Sequence, residues 1–102
     1  MLAIRPSCKR CDVDLPPACQ DVRICTYECT FCAGCVDGVL HNVCPNCGGG
    51  FAPRPIRPQL AWREGAGFGS HPADTKRGRL GYSDAETSQF VNSLRDTPPE
   101  ER

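Results

Sequence analysis

Apolar and β-branched residues are concentrated in one short stretch near the front of the chain. Residues 22–32, VRICTYECTFC, are rich in β-branched and aromatic types, which favours a short hairpin. Residues 33–41, AGCVDGVLH, are the best candidate for one or two helical turns, although Gly34 and Gly38 lower the helix propensity. The pattern predicts a small α+β unit in this half of the chain.

The residues that follow lack such a pattern. Residues 53–82 contain four prolines, several glycines and scattered arginines. This composition cannot bury enough apolar surface to offset the entropy lost on ordering, so we expect an irregular or disordered linker. The chain therefore divides into a cysteine-rich finger, residues 1–52, and a flexible linker and tail, residues 53–102.

One short helix is predicted inside that tail, over residues 83–95. Ser83 is followed by Glu86 three residues later, which is the signature of a capping box. Phe90, Val91 and Leu94 would then lie on one side of the helix. Such a short helix is marginal on its own, so a frayed tail stays open as the alternative.

Cysteine content changes this picture, because all nine cysteines of the 102-residue chain fall between Cys8 and Cys47. A chain this small needs a staple besides its apolar core. The start of the chain has no long apolar run, and no window approaches the roughly 18 apolar residues of a membrane helix. We therefore expect a cytoplasmic protein with reduced thiols and no membrane partner. The odd number of cysteines also favours metal binding over a closed set of disulfides.

Eight of the nine cysteines form four closely spaced pairs. Each pair presents two sulfurs from a tight turn, and zinc takes four such ligands in a tetrahedron. The pattern predicts two zinc ions. Because an all-thiolate site leaves no position for substrate, we expect both ions to be structural. We therefore expect that the protein is not an enzyme. The predicted ligands are Cys8 and Cys11, Cys25 and Cys29, Cys32 and Cys35, and Cys44 and Cys47.

Two ways of combining the four pairs are open. In a cross-brace, the first and third pairs share one zinc, and the second and fourth pairs share the other. In a sequential arrangement, the first two pairs share one zinc and the last two share the other. We favour the cross-brace because interleaved pairs close long loops and make the finger one cooperative unit.

The spacing resembles that of RING-type fingers, which the segments Ile24-Cys25, Phe31-Cys32 and Cys44-Pro45-Asn46-Cys47 match closely. Cys29 stands where those fingers often have a histidine. The resemblance implies a small zinc-stabilised α+β fold of RING-like cross-brace, treble-clef type, with a short hairpin and a short helix.

The same stretch resembles a small bacterial family of uncharacterised proteins of unknown function. Its pattern reads RPxCxxCDxDLPP, then ICxxECTFCxxC, then VCPNCGG, and residues 5–17, 24–35 and 43–49 reproduce it. The resemblance covers about half of the chain and implies a bacterial origin.

The chain departs from RING fingers that recruit ubiquitin-conjugating enzymes. Those fingers usually carry an apolar residue in the first knuckle, the turn that holds the first cysteine pair. They also have a tryptophan before the last knuckle, and often a cation after its final cysteine. This chain has Lys9 and Arg10 in the first knuckle, no tryptophan between Cys35 and Cys44, and Gly48 after the last cysteine. The resemblance therefore implies zinc geometry and not ligase activity.

Two further residues have alternative interpretations. Cys19 is expected to be a spare thiol, with a redox sensor or a substitute ligand as the alternative. A redox sensor needs nearby positive charge to favour the thiolate, and only Arg23 lies close to Cys19 in sequence. His41 is expected to be an ordinary polar residue at the end of a turn, with metal ligation as the alternative, since thiolates already fill both sites.

Charge then bears on the choice of partner. Residues 1–50 carry four cations and five anions, and eight thiolates with two Zn²⁺ take this half from −1 to −5, so it suits phosphate backbones poorly. The favoured function is a non-enzymatic zinc-binding module that binds another protein. The alternatives are a nucleic-acid binder using Arg54 to Arg79, and a thiol or zinc redox sensor. The finger has more apolar residues than we expect so small a core to need, which leaves some of them for a protein partner; they are Ile24, Tyr27, Phe31, Val36, Val39 and Leu40.

Overall fold

The hairpin predicted from the β-branched stretch forms as expected. A computed structural model describes residues 1–102, and in it strand β1 (Val22–Ile24) pairs antiparallel with strand β2 (Thr30–Cys32). The register places Val22 opposite Cys32. Glu28, in the connecting turn, has a φ of 64°, a left-handed conformation that lets the chain reverse.

A third strand extends the sheet on the other side of β1. Strand β3 (Ala52–Pro53) pairs antiparallel with β1, and the sheet order is β2-β1-β3. The sequence pattern did not indicate this strand, because it is only two residues long and lies among prolines. Proline has no amide hydrogen to donate and is therefore confined to sheet edges, which is where Pro53 lies.

Helical structure follows β2 directly, as the sequence predicts. Helix α1 (Ala33–Cys35) runs into a wider π-helical turn (Val36–Leu40), which ends at His41 in a left-handed conformation with φ 48°. At the start of α1, the Cys32 sulfur accepts a hydrogen bond from the Cys35 amide at 3.4 Å. This hydrogen bond links the start of the helix to two candidate ligands.

The second helix, α2 (Asp84–Leu94), begins at the capping box that the sequence indicates. The Glu86 amide donates to the Ser83 hydroxyl, and the Ser83 amide donates to the Glu86 carboxylate, both at 3.1 Å. Val91 is 1% exposed and belongs to the same buried cluster as residues of the finger. A 3-10 turn (Pro99–Glu101) follows.

One hydrophobic cluster forms the core, and cysteines are a large part of it. Four of its eleven buried residues are cysteines, so the candidate ligands and the apolar core are one structure. The seven other members are Leu15, Val22, Phe31, Val36, Leu40, Val43 and Val91. None of the helices is long and apolar enough to cross a membrane.

The segment between β3 and α2 has no regular structure, yet it lies against the finger. The Asp74 amide donates to the Ile4 carbonyl at 3.0 Å, and the Leu80 amide donates to the Lys9 carbonyl at 3.0 Å. Arg77 forms an ion pair with Asp14 at 2.7 Å. Polar groups thus attach the segment to the finger, and Leu80 also packs against the hydrophobic core.

Candidate metal centres

Four cysteine side chains converge to form the first candidate centre. The sulfur atoms of Cys8, Cys11, Cys32 and Cys35 all lie within 4.8 Å of one another. Cys8 and Cys11 lie on a tight turn, which the Asp12 amide closes by donating to the Cys8 carbonyl at 2.9 Å. Cys32 ends β2 and Cys35 ends α1, so the junction of strand and helix supplies the other two sulfurs.

The spacing of these sulfurs fits a tetrahedral metal ion. A zinc ion about 2.3 Å from each of four sulfurs would hold neighbouring sulfurs about 3.8 Å apart. The Cys11 and Cys32 sulfurs, which belong to different pairs, are 3.8 Å apart. The group can therefore hold a metal ion with little rearrangement.

The electrostatics of this centre also call for a cation. Burial raises the pKa of the Cys35 thiol to about 12, although a hydrogen bond from Arg10 opposes the shift. The Arg10 guanidinium nitrogen is 3.6 Å from the Cys35 sulfur. Only Cys8 and Cys35 of the four are buried, and a metal ion at the centre of the group would favour the thiolate form of all four.

Three further cysteines form a second group. The sulfur atoms of Cys25, Cys44 and Cys47 lie within 4.8 Å of one another. Two backbone hydrogen bonds close the last knuckle, residues 44–47. The Gly48 amide donates to the Cys44 carbonyl at 2.7 Å, and the Cys44 amide donates to the Gly49 carbonyl at 2.8 Å. Burial raises the pKa of Cys44 well above its ordinary value. This group could also hold a metal ion.

Cys29, the eighth predicted ligand, lies beside this second group and outside it. Its sulfur accepts a hydrogen bond from the Asn46 side-chain amide at 3.4 Å, and its carbonyl accepts one from the Cys25 amide at 3.3 Å. Asn46 lies between Cys44 and Cys47 in the last knuckle. The structure therefore groups seven of the eight predicted ligands and places the eighth next to the knuckle.

The grouping combines pairs that are distant in sequence. The first pair meets the third pair, and Cys25 of the second pair meets the fourth pair. The sulfurs do not group in the sequential arrangement, in which Cys8 and Cys11 would lie with Cys25. Each group therefore combines cysteines from both halves of the finger.

The two other candidate ligands lie outside both groups. Cys19 packs against the hydrophobic core, and its amide donates to the Pro16 carbonyl at 2.9 Å. His41 ends the π-helical turn. None of the nine cysteines forms a disulfide.

Three of the six apolar residues expected to exceed the needs of the core are buried in it, so that interpretation was wrong for those three. Phe31, Val36 and Leu40 are at most 3% exposed, whereas Tyr27 is 77% exposed. A domain this small has few apolar side chains, and its core uses these three. Sequence reasoning did not single out Tyr82, which is 49% exposed.

Comparisons with known proteins agree with the family resemblance. A family model described as "Protein of unknown function (DUF1272)" matches residues 1–57. "Uncharacterized protein R02474" of Rhizobium meliloti (strain 1021) is 49% identical over 77 residues, which cover 76% of this chain and 84% of that protein. No solved structure is significantly similar to this chain. The expected likeness to a small bacterial family of uncharacterised proteins is confirmed.

Proposed function

The chain belongs to the family of proteins of unknown function (DUF1272), and we propose that it is a zinc-binding module without catalytic activity that binds another protein. The observation that carries this proposal is the group of four cysteine sulfurs within 4.8 Å of one another. An all-thiolate tetrahedral set is typical of structural zinc. A reducing compartment such as the cytoplasm keeps these thiols available to metal.

The proposed arrangement is a RING-like cross-brace with two zinc ions. Cys8, Cys11, Cys32 and Cys35 hold the first ion. Cys25, Cys44 and Cys47 hold the second, and rotation of the adjacent Cys29 side chain supplies its fourth ligand. This arrangement is supported by the interleaved grouping of the sulfurs and by the position of Cys29 beside the last knuckle.

The absence of catalysis follows from the chemistry of such sites. Catalytic zinc keeps one position open for water or substrate, whereas four protein thiolates fill the coordination sphere. The proposed role of each zinc is therefore to stabilise the fold. Because four cysteines belong to the core cluster, metal binding and folding are expected to be coupled.

Protein binding is favoured over nucleic-acid binding by the way the arginines are used. Arg54 donates to the Arg5 and Pro16 carbonyls, and Arg57 donates to the His71 carbonyl at 2.8 Å. Arg77 and Arg79 pair with Asp12 at 3.2 and 3.3 Å. Because these guanidinium groups already have partners within the chain, few of them are free for phosphates.

The test of the proposal is a zinc count by native mass spectrometry on zinc-replete, reduced protein. We expect two zinc ions in the wild type. Cys32→Ser should lose at least one zinc, whereas Cys19→Ser, the matched control at the cysteine outside both groups, should keep two. Two zinc ions in Cys32→Ser, or a loss in Cys19→Ser alone, would contradict the proposed ligand set.

A further inference from the structure

A cavity of about 480 Å³ lies between the last knuckle and helix α2. Pro45 and Asn46 line it on the side of the knuckle, and Tyr82, Glu86 and Phe90 line it on the side of the helix. Its volume is in the range of pockets that bind small ligands. None of the cysteines lines it.

The cavity has one charged lining residue, Glu86, and its charge is negative. One carboxylate oxygen of Glu86 accepts a hydrogen bond from the Ser83 amide at 3.1 Å, and this contact lowers the pKa of Glu86. The ion pairs of the protein do not include Glu86, so no cation of this chain neutralises it. Helix α2 carries no basic residue in its last turn.

The proposed second zinc centre, with Cys29 as its fourth ligand, would add to the negative potential at this cavity. Asn46 lines the cavity and lies between two of the candidate ligands, Cys44 and Cys47. Four thiolates around one Zn²⁺ carry a net charge of −2. The proposed metal centre and Glu86 thus favour the same sign of ligand charge.

Two partly exposed aromatic side chains line the cavity and can contact a cationic ligand. Tyr82 is 49% exposed and Phe90 is 38% exposed. Aromatic rings attract cations through their negative faces. Asn46 also lines a neighbouring cavity of about 360 Å³ with Tyr27 and Cys47, so an extended ligand can continue across the knuckle.

From this combination we propose that the cavity between the last knuckle and α2 binds a lysine or arginine side chain of a partner polypeptide. Glu86 pairs with the cation, Tyr82 and Phe90 pack against its aliphatic stem, and the neighbouring cavity at Tyr27 receives the flanking residues. This inference rests on the proposed function, in which the chain binds another protein.

The experiment titrates zinc-loaded, full-length, ¹⁵N-labelled protein with two alanine peptides of equal length. One peptide has a central arginine and the other a central glutamine. We expect the arginine peptide to shift the amide signals of Asn46, Glu86 and Gln89, and the glutamine peptide to leave them unchanged. Free arginine amide, as a third ligand, should bind more weakly because it lacks the flanking residues.

A pair of variants locates the binding. Glu86→Gln removes the charge and keeps the capping box, since glutamine serves at that position as well as glutamate. It should weaken binding of the arginine peptide by up to about fivefold, the scale of one exposed ion pair. Glu64→Gln, which changes the net charge equally at an exposed position outside the cavity, should leave binding unchanged.

Three results would overturn the inference. These are equal effects of the two charge variants, no shift at the cavity with the arginine peptide, or equal binding of free arginine amide, which would identify a small cation as the ligand. Zinc is counted in the same samples. Failure to bind peptide with two zinc ions present rejects this inference alone, whereas failure to bind zinc rejects the proposed function.

Discussion

Arg54 is a buried cation whose partners are backbone carbonyls. It is 4% exposed, and its guanidinium donates to the Arg5 carbonyl at 2.8 Å and to the Pro16 carbonyl at 3.1 Å. Burial lowers its pKa, because the surroundings solvate the charged form poorly. A planar guanidinium can donate in two directions at once, so Arg54 ties the residue after β3 to two separate segments of the front of the chain.

Replacing Arg54 by lysine should therefore destabilise the protein. Lysine keeps the charge but presents it as a single compact group, which leaves a buried carbonyl without its donor. We expect Arg54→Lys to lower the free energy of unfolding by about 1–3 kcal/mol, measured by denaturant titration with zinc present. Arg63→Lys, at an exposed arginine, serves as the control and should match the wild type. A loss of equal size in both variants would contradict the account.

The last knuckle and helix α2 meet at Gly48. This residue has a φ of 79°, and a Cβ atom placed on it would lie 3.1 Å from Cδ1 of Leu94 and 3.5 Å from Cζ of Phe90. Glycine is therefore required both by the left-handed backbone and by the closeness of the helix. This contact joins the second cysteine group to a helix that begins 37 residues after Cys47.

Gly48→Ala should weaken the packing of α2 on the knuckle. We expect a loss of about 1–2 kcal/mol from backbone strain and from displacement of Leu94. Gly34→Ala is the control, because nothing lies within 4 Å of a Cβ atom at Gly34, which is inside α1. Alanine there should be neutral or stabilising by roughly 1 kcal/mol. Unfolding curves in which Gly48→Ala equals the wild type would refute this view of the knuckle.

At the scale of single helices and strands, the sequence predicted the elements that depend on local chemistry. The hairpin follows from β-branched residues between Val22 and Cys32, and α2 follows from the capping box of Ser83 and Glu86. β3 could not be predicted, because its pairing depends on a strand far away in sequence. The burial of Arg54 could not be predicted either, because an arginine among prolines is typical of an exposed linker.

At the scale of the whole molecule, the chain after residue 57 packs against the finger. Arg57 donates to the Leu2 and His71 carbonyls and lies over the Phe68 ring, 5.9 Å from its centroid. Arg102 donates to the Gly48 carbonyl at 3.0 Å, so the end of the chain returns to the last knuckle. The residues matched by the family model are thus stabilised by residues beyond them.

Truncation after residue 57 should loosen the finger. Val91 is 1% exposed in the shared core, so its removal uncovers apolar surface. We expect faster amide hydrogen exchange at Val22, Phe31 and Leu40 in zinc-loaded residues 1–57 than in the full chain. Equal exchange rates would show that the tail does not contribute to the stability of the finger.

The central claim is the assignment of cysteines to two metal ions, and its most direct test is heteronuclear NMR on cadmium-113-substituted protein. Each cadmium signal correlates with the β-protons of its own ligands. We predict two signals, one correlated with Cys8, Cys11, Cys32 and Cys35 and the other with Cys25, Cys29, Cys44 and Cys47. Signals that join Cys8 and Cys11 to Cys25 and Cys29, or a second signal without Cys29, would contradict the proposed cross-brace.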